Sequence, residues 1–569
     1  MRDYPLYDTT YFDDFREMIE NVADRYPESV AFSFKEDPHS PAVTRFTFND
    51  VRSNVRGYGT ALIADGVRGE KCAIIGATSI GWVLTYFTVM ACGGVTVPCD
   101  RELGVDDLSG IVKKADCRFV FYGSDSEQKI KEMKPLCPGV AWICMEGAPI
   151  SGDATRADYT ARGGALFAAG DNSYYDFKID VDALSSIVFT SGTTGKGKGV
   201  MLSQKNISFD MVQAMYLFSV TKKTLCTLPL HHTYASTVNI VGHFAQGCEV
   251  YLSSGLKYFL KELKEQRPTH LILVPLFVST IYKKIWATAE KTGKAKLLRY
   301  MIMVSNGMRR AKIDVRRKLF KSILDTLGGN VKFIICGGAA LSQEIIDTFD
   351  AIGITVLNGY GITECAPLIS CNRNRRQRKG SVGVPIIGER VKIADPDENG
   401  EGEICVKGAN VMLGYYKDPD ATAAVFDEEG YFHTGDIGRI ENDGRDDWIY
   451  VTGRIKNLII FSNGKNVYPE EIEDKISMIE GVSEVVVYAG ESRSDPSREV
   501  IVAEIYPDAE TLENAGITDP ESYFKKKVAE VNRSMVSFKS VGHIKLRNAP
   551  FEKNTTKKII RFKIDKTID

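Results

Sequence analysis

Short apolar runs recur along the first two-thirds of this 569-residue chain, separated by segments whose apolar residues follow a helical period. The runs at 71–76, 117–122, 186–190, 270–274, 331–336 and 354–358 have the length of buried strands, while 205–217 and 342–351 read as amphipathic helices. A strand that is apolar throughout needs cover on both faces, and parallel strands need a crossover to join them. The alternation therefore predicts an α/β fold of mostly parallel sheets flanked by helices. Around 380–452 the texture changes to short strands punctuated by glycine, which predicts a small antiparallel, β-rich subdomain. After Gly453 and Arg454 the pattern resets into strand, helix (470–478), strands (482–488 and 500–506), helix (520–531) and strand. Residues 1–454 are thus expected to form a large N-terminal domain and 455–569 a small α+β C-terminal domain.

Composition removes several classes. The 72 Lys and Arg nearly balance the 74 Asp and Glu, leaving a formal charge of −2. Such a chain has no global attraction to nucleic acid or to an anionic membrane. The opening residues, MRDYPLYDTTYFDDF, lack the basic start and apolar run of a signal peptide. The 12 cysteines are dispersed with no CxxC pair, so they are expected to be reduced thiols in the cytoplasm, not zinc ligands. The longest apolar stretch, 80–97, is broken by Gly81, Thr85, Thr88, Gly93, Gly94 and Thr96. It reads as a helix over 80–92 and a buried strand over 94–98, not as a membrane span. The cluster RNRRQRK at 373–379 reads as a solvated loop, with a docking patch for an anionic ligand or acidic carrier as the alternative.

One loop carries phosphate chemistry. Thr190, Ser191, Gly192, Thr193, Thr194, Gly195, Lys196, Gly197, Lys198 and Gly199 follow an apolar strand. Glycines let successive N–H groups converge on an anion, hydroxyls add donors, and lysines add charge. Gly192 to Lys198 matches G-x-x-x-x-G-K, but Gly199 stands where a nucleoside-triphosphatase loop needs Ser or Thr for Mg²⁺. Gly199-Val200-Met201-Leu202-Ser203 also reads as a strand where that loop would open a helix. An ordinary Gly-rich turn is the plain alternative.

The loop resembles the signature of the adenylate-forming, AMP-binding superfamily, and further segments in family order extend the likeness. Asn358-Gly359-Tyr360-Gly361-Ile362-Thr363-Glu364 is similar to its Y-G-x-T-E motif. The resemblance assigns Tyr360, with Gly361 beside it, to adenine, Thr363 to the α-phosphate and Glu364 to Mg²⁺. Gly338 and Ala339, within Gly337–Leu341, are similar to the adenine-contacting turn. Tyr431-Phe432-His433-Thr434-Gly435-Asp436 resembles Y-x-x-T-G-D, placing Asp436 at the ribose hydroxyls. Gly453-Arg454-Ile455-Lys456-Asn457 is similar to the hinge, with Arg454 at the ribose and Lys456 as pivot of a mobile C-terminal domain. Gly464 to Asn466 would help line a pantetheine channel. The tail 552–561 resembles P-x-T-x-x-G-K-[IL]-x-R and makes Lys558 the catalytic lysine, with Lys557 as the fallback. It departs from that pattern at Glu552, Asn554 and Lys557. Singly, each match also reads as strand-end packing, a Gly-Asp turn or a solvated tail.

Pro229-Leu230-His231-His232-Thr233-Tyr234 resembles the family's acyl-site element and puts His232 beside the substrate carboxylate; a capping or core histidine is the alternative. The segments 238–244 and 275–281 read either as walls of an acyl tunnel or as helix core. A Lys/Arg-rich helical insertion between Tyr282 and Gly329 is similar to one in long-chain acyl-CoA synthetases. It reads as a surface helix or as a peripheral contact with a membrane. The resemblance implies ATP, Mg²⁺ and coenzyme A, and activation of a medium- or long-chain fatty acid to acyl-AMP with pyrophosphate release, then transfer to the thiol. A ligase loading the phosphopantetheine of an acyl carrier protein is the runner-up, and a non-catalytic nucleotide binder or triphosphatase the third reading. Chain length, pathway and oligomeric state stay open.

Overall fold

In the computed structural model, residues 6–190, 197–461, 466–491, 500–553 and 559–568 are described. The predicted α/β architecture is present. The largest sheet has eight strands in the order Gly414–Tyr415, Lys198–Ser203, Leu184–Thr190, Val95–Cys99, Lys71–Ile75, Cys117–Gly123, Ala141–Glu146 and Ala154–Thr155. It is parallel except at one edge, where Lys198–Ser203 runs antiparallel to both of its neighbours. The chain leaves the glycine-rich segment as this strand, and only then does Ser203 cap the helix Gln204–Met215 in a reciprocal box with Asn206. The triphosphatase strand–loop–helix pattern is therefore not the local fold.

A second, five-stranded sheet begins with His270–Leu273, Phe333–Cys336 and Thr355–Gly361 in parallel. It continues with Leu368–Cys371 and Val384–Pro385 antiparallel. All twelve residues of the helix Ile80–Ala91 are buried, which explains why that segment is apolar on every face. The β-rich segment forms an antiparallel sheet of Arg390–Ala394, Gly402–Lys407, Phe432–Asn442 and Asp447–Arg454. A mixed sheet of Val30–Phe34, Thr44–Thr47, Lys223–Cys226 and Glu249–Leu252 was not visible in the sequence pattern.

The smaller C-terminal part has its own core. Its sheet pairs Val482–Gly490 antiparallel with Val500–Pro507, and Val500–Pro507 parallel with Val541–Leu546. Ile472 and Ile476 of the helix Pro469–Ser477 and Phe524 and Val528 of Pro520–Asn532 complete this core. The insertion after Tyr282 is helical, with Ala295–Arg310, Arg316–Leu319 and Lys321–Thr326 following Pro275–Lys291.

The 373–379 cluster is largely consumed by ion pairs. Arg376 meets Asp443 and Asp446, Arg378 meets Glu441, and Lys379 meets Asp347. That geometry favours the plain reading over an anion-docking patch. All 12 cysteines are buried and none is in a disulfide. Among the described residues, no helix is long and apolar enough to cross a membrane.

Candidate active site

Open parallel sheets gather ligands outside the carboxyl ends of their strands, where successive loops diverge. Phe333–Cys336 and Thr355–Gly361 are neighbours, with Cys336 opposite Asn358, and both end in glycine turns. Gly338 has φ +89, a left-handed conformation that suits glycine, and Gly338 and Ala339 are exposed. The second turn brings Tyr360, Gly361, Thr363 and Glu364 to the same edge.

Tyr360 is mostly buried, and its hydroxyl donates to Asp436 Oδ2 at 2.8 Å. Burial, reinforced by the Asp436 charge, holds this phenol well above its usual pKa. Asp436 lies opposite Arg454 across the antiparallel pair of Phe432–Asn442 and Asp447–Arg454, and Arg454 Nε is 2.8 Å from Asp436 Oδ1. Three motifs far apart in sequence thus meet at one carboxylate. Glu403 braces the turn before it, accepting from Gly435 N–H at 2.9 Å and lying 2.7 Å from His433 Nδ1.

Near the exit of the glycine-rich segment, Glu364 sits in the 3₁₀ turn Thr363–Cys365, where Thr363 and Glu364 are both half-buried. The Tyr415 hydroxyl donates to Glu364 Oε1 at 3.0 Å, and Lys198 Nζ lies 4.4 Å from the centre of the Tyr415 ring. Thr190 Oγ1 donates to the Lys198 carbonyl at 3.4 Å. Backbone bonds fix this arrangement, from Tyr416 N–H to Gly199 O at 2.7 Å and from Met412 N–H to Glu364 O at 2.8 Å. A short strand therefore ties the exit of the glycine-rich segment to the Glu364 turn. Among the described residues, Tyr415 meets one Glu364 oxygen, and the other is a hard donor of the kind Mg²⁺ takes. Ser191, Gly192, Thr193, Thr194 and Gly195 lie outside the described residues.

His231 and His232 have ring centres 4.0 Å apart, and His231 Nε2 is 3.6 Å from Asp100 Oδ2. Burial, with the charge of Arg101, pushes the His231 imidazole down to about 4. Tyr234 donates to the carbonyls of Leu273 and Ile335 at 3.3 and 3.2 Å, closing the ends of two parallel strands. Of the proposed tunnel walls, Val238, Ile240, Val241 and Phe244 are fully packed in the main core, as are Val278 and Ile281 in the second. The helix-core alternative describes both segments. Tyr415 and Asp100 were missed in the sequence, because no spacing announces a partner supplied by another sheet; His231 and Tyr234 lay in the Pro229–Tyr234 motif without a role of their own.

The strand Asp447–Arg454 runs into the 3₁₀ turn Ile455–Asn457, which contains Lys456, and Asn457 Nδ2 donates to Glu470 Oε1 at 2.6 Å. In the C-terminal part, Lys553 pairs with Ile559, bringing together the two flanks of the tail segment. Lys557, Lys558 and Gly464 lie outside the described residues.

Comparison with known proteins gives the family and the fold. A family model described as AMP-binding enzyme matches residues 19–416. Long-chain-fatty-acid–CoA ligase 5 of Mus musculus is 29% identical over 545 residues, covering 88% of this chain and 77% of that one. The long-chain-fatty-acid–[acyl-carrier-protein] ligase AEE15 of Arabidopsis thaliana is 28% identical over 555 residues, covering 83% and 74%. Among solved structures, the anthranilate CoA ligase AuaEII in complex with anthranoyl-AMP superposes with a TM-score of 0.76 at 18% identity, covering 99% of this chain and 97% of that one. ATP-bound MatB from Rhodopseudomonas palustris gives 0.73 at 22%, covering 96% and 98%. With a family match over residues 19–416, most of its length, the chain belongs to the AMP-binding enzyme family.

Proposed function

We propose that this protein activates a medium- or long-chain fatty acid with ATP, releases pyrophosphate, and passes the acyl group from acyl-AMP to coenzyme A. The observation that carries the reading is the meeting of Tyr360 and Arg454 at Asp436, with Glu364, Tyr415 and Lys198 joined on the phosphate side. The names of relatives such as the mouse ligase supply the acid and the thiol.

In the first step the fatty carboxylate oxygen attacks the α-phosphorus and pyrophosphate leaves. Two anions must meet, so the site's work is alignment and charge neutralisation. Tyr360, Gly361, Gly338 and Ala339 hold the adenine, and Asp436 and Arg454 the ribose. Thr363 meets the α-phosphate, and the segment from Thr190 to Lys198 cradles the departing phosphates. Lys558, entering from the C-terminal part, bridges carboxylate and α-phosphate, while His232 borders the acyl carboxylate. Donors set in advance of the reaction are each worth roughly 10²–10³ in rate. Mg²⁺ bound at Glu364 supplies neutralisation of phosphate oxygens. In the second step the coenzyme A sulfur attacks the acyl carbonyl carbon, the carbonyl–phosphate bond breaks, and AMP leaves. Lys456 is the pivot on which the C-terminal part turns between the steps. Twelve buried cysteines, none in a disulfide, fit a reducing, cytoplasmic setting.

A second reading has one specific support. The Arabidopsis relative is named for an acyl carrier protein, whose phosphopantetheine arm ends in the same thiol chemistry.

Acid-dependent pyrophosphate release, measured from acetate to palmitate and with an aryl acid, tests the proposal. Steady AMP formation that needs coenzyme A and rises toward medium and long chains is the expected result. Turnover only with an acyl carrier protein supports the second reading. ADP and phosphate as products, or no acid dependence, overturns both.

A further inference from the structure

Dispersed cysteines give no zinc spacing along the chain, but strand pairing carries one of them to a histidine. Cys405 of Gly402–Lys407 stands directly opposite His433 of Phe432–Asn442 in the antiparallel register. Cys405 Sγ lies 3.5 Å from His433 Nδ1, and Glu403 Oε2 lies 2.7 Å from the same nitrogen. Among the described residues, this is the one group of three His, Cys or acidic side chains placed to hold a metal ion, their ligand atoms all within 4.8 Å of one another.

Zinc bonds run about 2.0–2.1 Å to histidine nitrogen, about 2.3 Å to thiolate and about 2.0–2.2 Å to carboxylate. At tetrahedral angles those lengths set nitrogen and sulfur about 3.5 Å apart, the separation already present. Nitrogen and oxygen would stand about 3.4 Å apart, so the Glu403–His433 contact has to open by about 0.7 Å. Both side chains are partly exposed, which leaves them room to rotate and gives an ion a way in.

Charge and softness point to the same class of ion. One thiolate and one carboxylate cancel a double positive charge, and imidazole is a neutral ligand. Thiolate and imidazole suit zinc, whereas magnesium takes oxygen ligands. Behind the ring, His433 Nε2 is 3.9 Å from Asp427 Oδ2, and a carboxylate in that position orients the histidine of many zinc sites. The neighbouring lysines are engaged elsewhere, Lys392 with Asp427 and Glu429 and Lys407 with the Glu429 carbonyl. Burial and the Glu403 charge push the Cys405 thiol up to about 12, so an arriving cation displaces the thiol proton to solvent.

We propose that Glu403, Cys405 and His433 form a regulatory site for a zinc-class divalent cation, separate from the Mg²⁺ position proposed at Glu364. Three protein ligands leave a fourth position for water, so the ion can come and go. Glu403 joins this site to the nucleotide crevice, because its other oxygen, Oε1, accepts from Gly435 N–H beside Asp436. Opening the Glu403–His433 contact loosens that brace, and zinc should weaken AMP binding about tenfold. This coupling rests on the proposed ribose role of Asp436; the metal site itself does not.

Cobalt titration of the full chain, without nucleotide or magnesium, tests the site, because thiolate-bound cobalt absorbs in the near ultraviolet. The expected result is a thiolate band that saturates at a single ion per chain and is bleached by zinc but not by excess magnesium. Cys405→Ser should abolish the band, and Asp427→Asn, behind the histidine, should weaken cobalt binding about tenfold. Where Cys405→Ser lowers the melting temperature, His433→Gln, a change at a partly exposed side chain, serves in its place. No band, a band that survives in both Cys405→Ser and His433→Gln, or equal competition by magnesium would overturn the proposal. An AMP affinity that zinc leaves unchanged would overturn the coupling. No AMP binding with or without zinc would sink the nucleotide reading of Asp436 and leave the metal site standing.

Discussion

A Cβ placed on Gly361 would lie 2.0 Å from the carbonyl oxygen of Pro367. That carbonyl cannot simply retreat, because Ile362 N–H donates to it at 2.8 Å. Alanine at 361 therefore has to open the turn that carries Thr363 and Glu364. Gly361→Ala should lower kcat/KM for pyrophosphate release by about 100-fold, since misplacement by an ångström costs about that much. Wild-type kinetics in that variant would remove the turn from the site. The glycine itself was legible in the sequence as part of a motif, but its reason, a contact across the turn, was not. Asp436 was also legible, because a charged residue in a patterned turn stands out. Tyr415 was not: its bond to Glu364 spans 51 positions and depends on a two-residue strand that no apolar run marks.

Among elements, the strands buried on both faces were the easiest to read. Lys71–Ile75 and His270–Leu273 are apolar or nearly so from end to end, because helices cover them. The mixed sheet containing Thr44–Thr47 escaped notice for the opposite reason. That strand, TRFT, is polar and only half-buried, and it reaches Glu249–Leu252 and Lys223–Cys226, far along the chain, only through Val30–Phe34 between them. The 3₁₀ turn Ile455–Asn457 is the element on which the two half-reactions are proposed to divide. Proline fixes φ and removes a donor, so Lys456→Pro should stiffen the pivot. Acyl-AMP formation in single turnover should stay within about threefold of wild type, while transfer to coenzyme A falls about tenfold or more. Equal losses in both steps would deny the turn its role.

Over the whole molecule, burial also sets the response to acid. His231 and His243 are both pushed down to about 4 by burial, and His270, whose Nε2 is 2.7 Å from that of His243, is held well below its usual value. Their folded pKa values lie below the unfolded one near 6.5. The stability they contribute is present above pH 6.5 and is lost as pH falls toward 4, by a few kcal/mol for each fully shifted group. The melting temperature should drop steeply across that window, and the slope should become shallower in His231→Asn. An unchanged slope would mean that this imidazole is already charged in the native state. The same packing has a practical consequence for sulfur. With all 12 thiols inside, and burial pushing those of Cys72, Cys92 and Cys99 up, the folded chain offers little thiolate to a thiol-titrating reagent. In a mixture set up for the proposed transfer to coenzyme A, the colour from such a reagent counts the free cosubstrate, and its decline would be a direct clock for that step. A late rise beyond the cosubstrate's own content announces that the protein has begun to unfold, so one reagent reports both the working life of the molecule and its end.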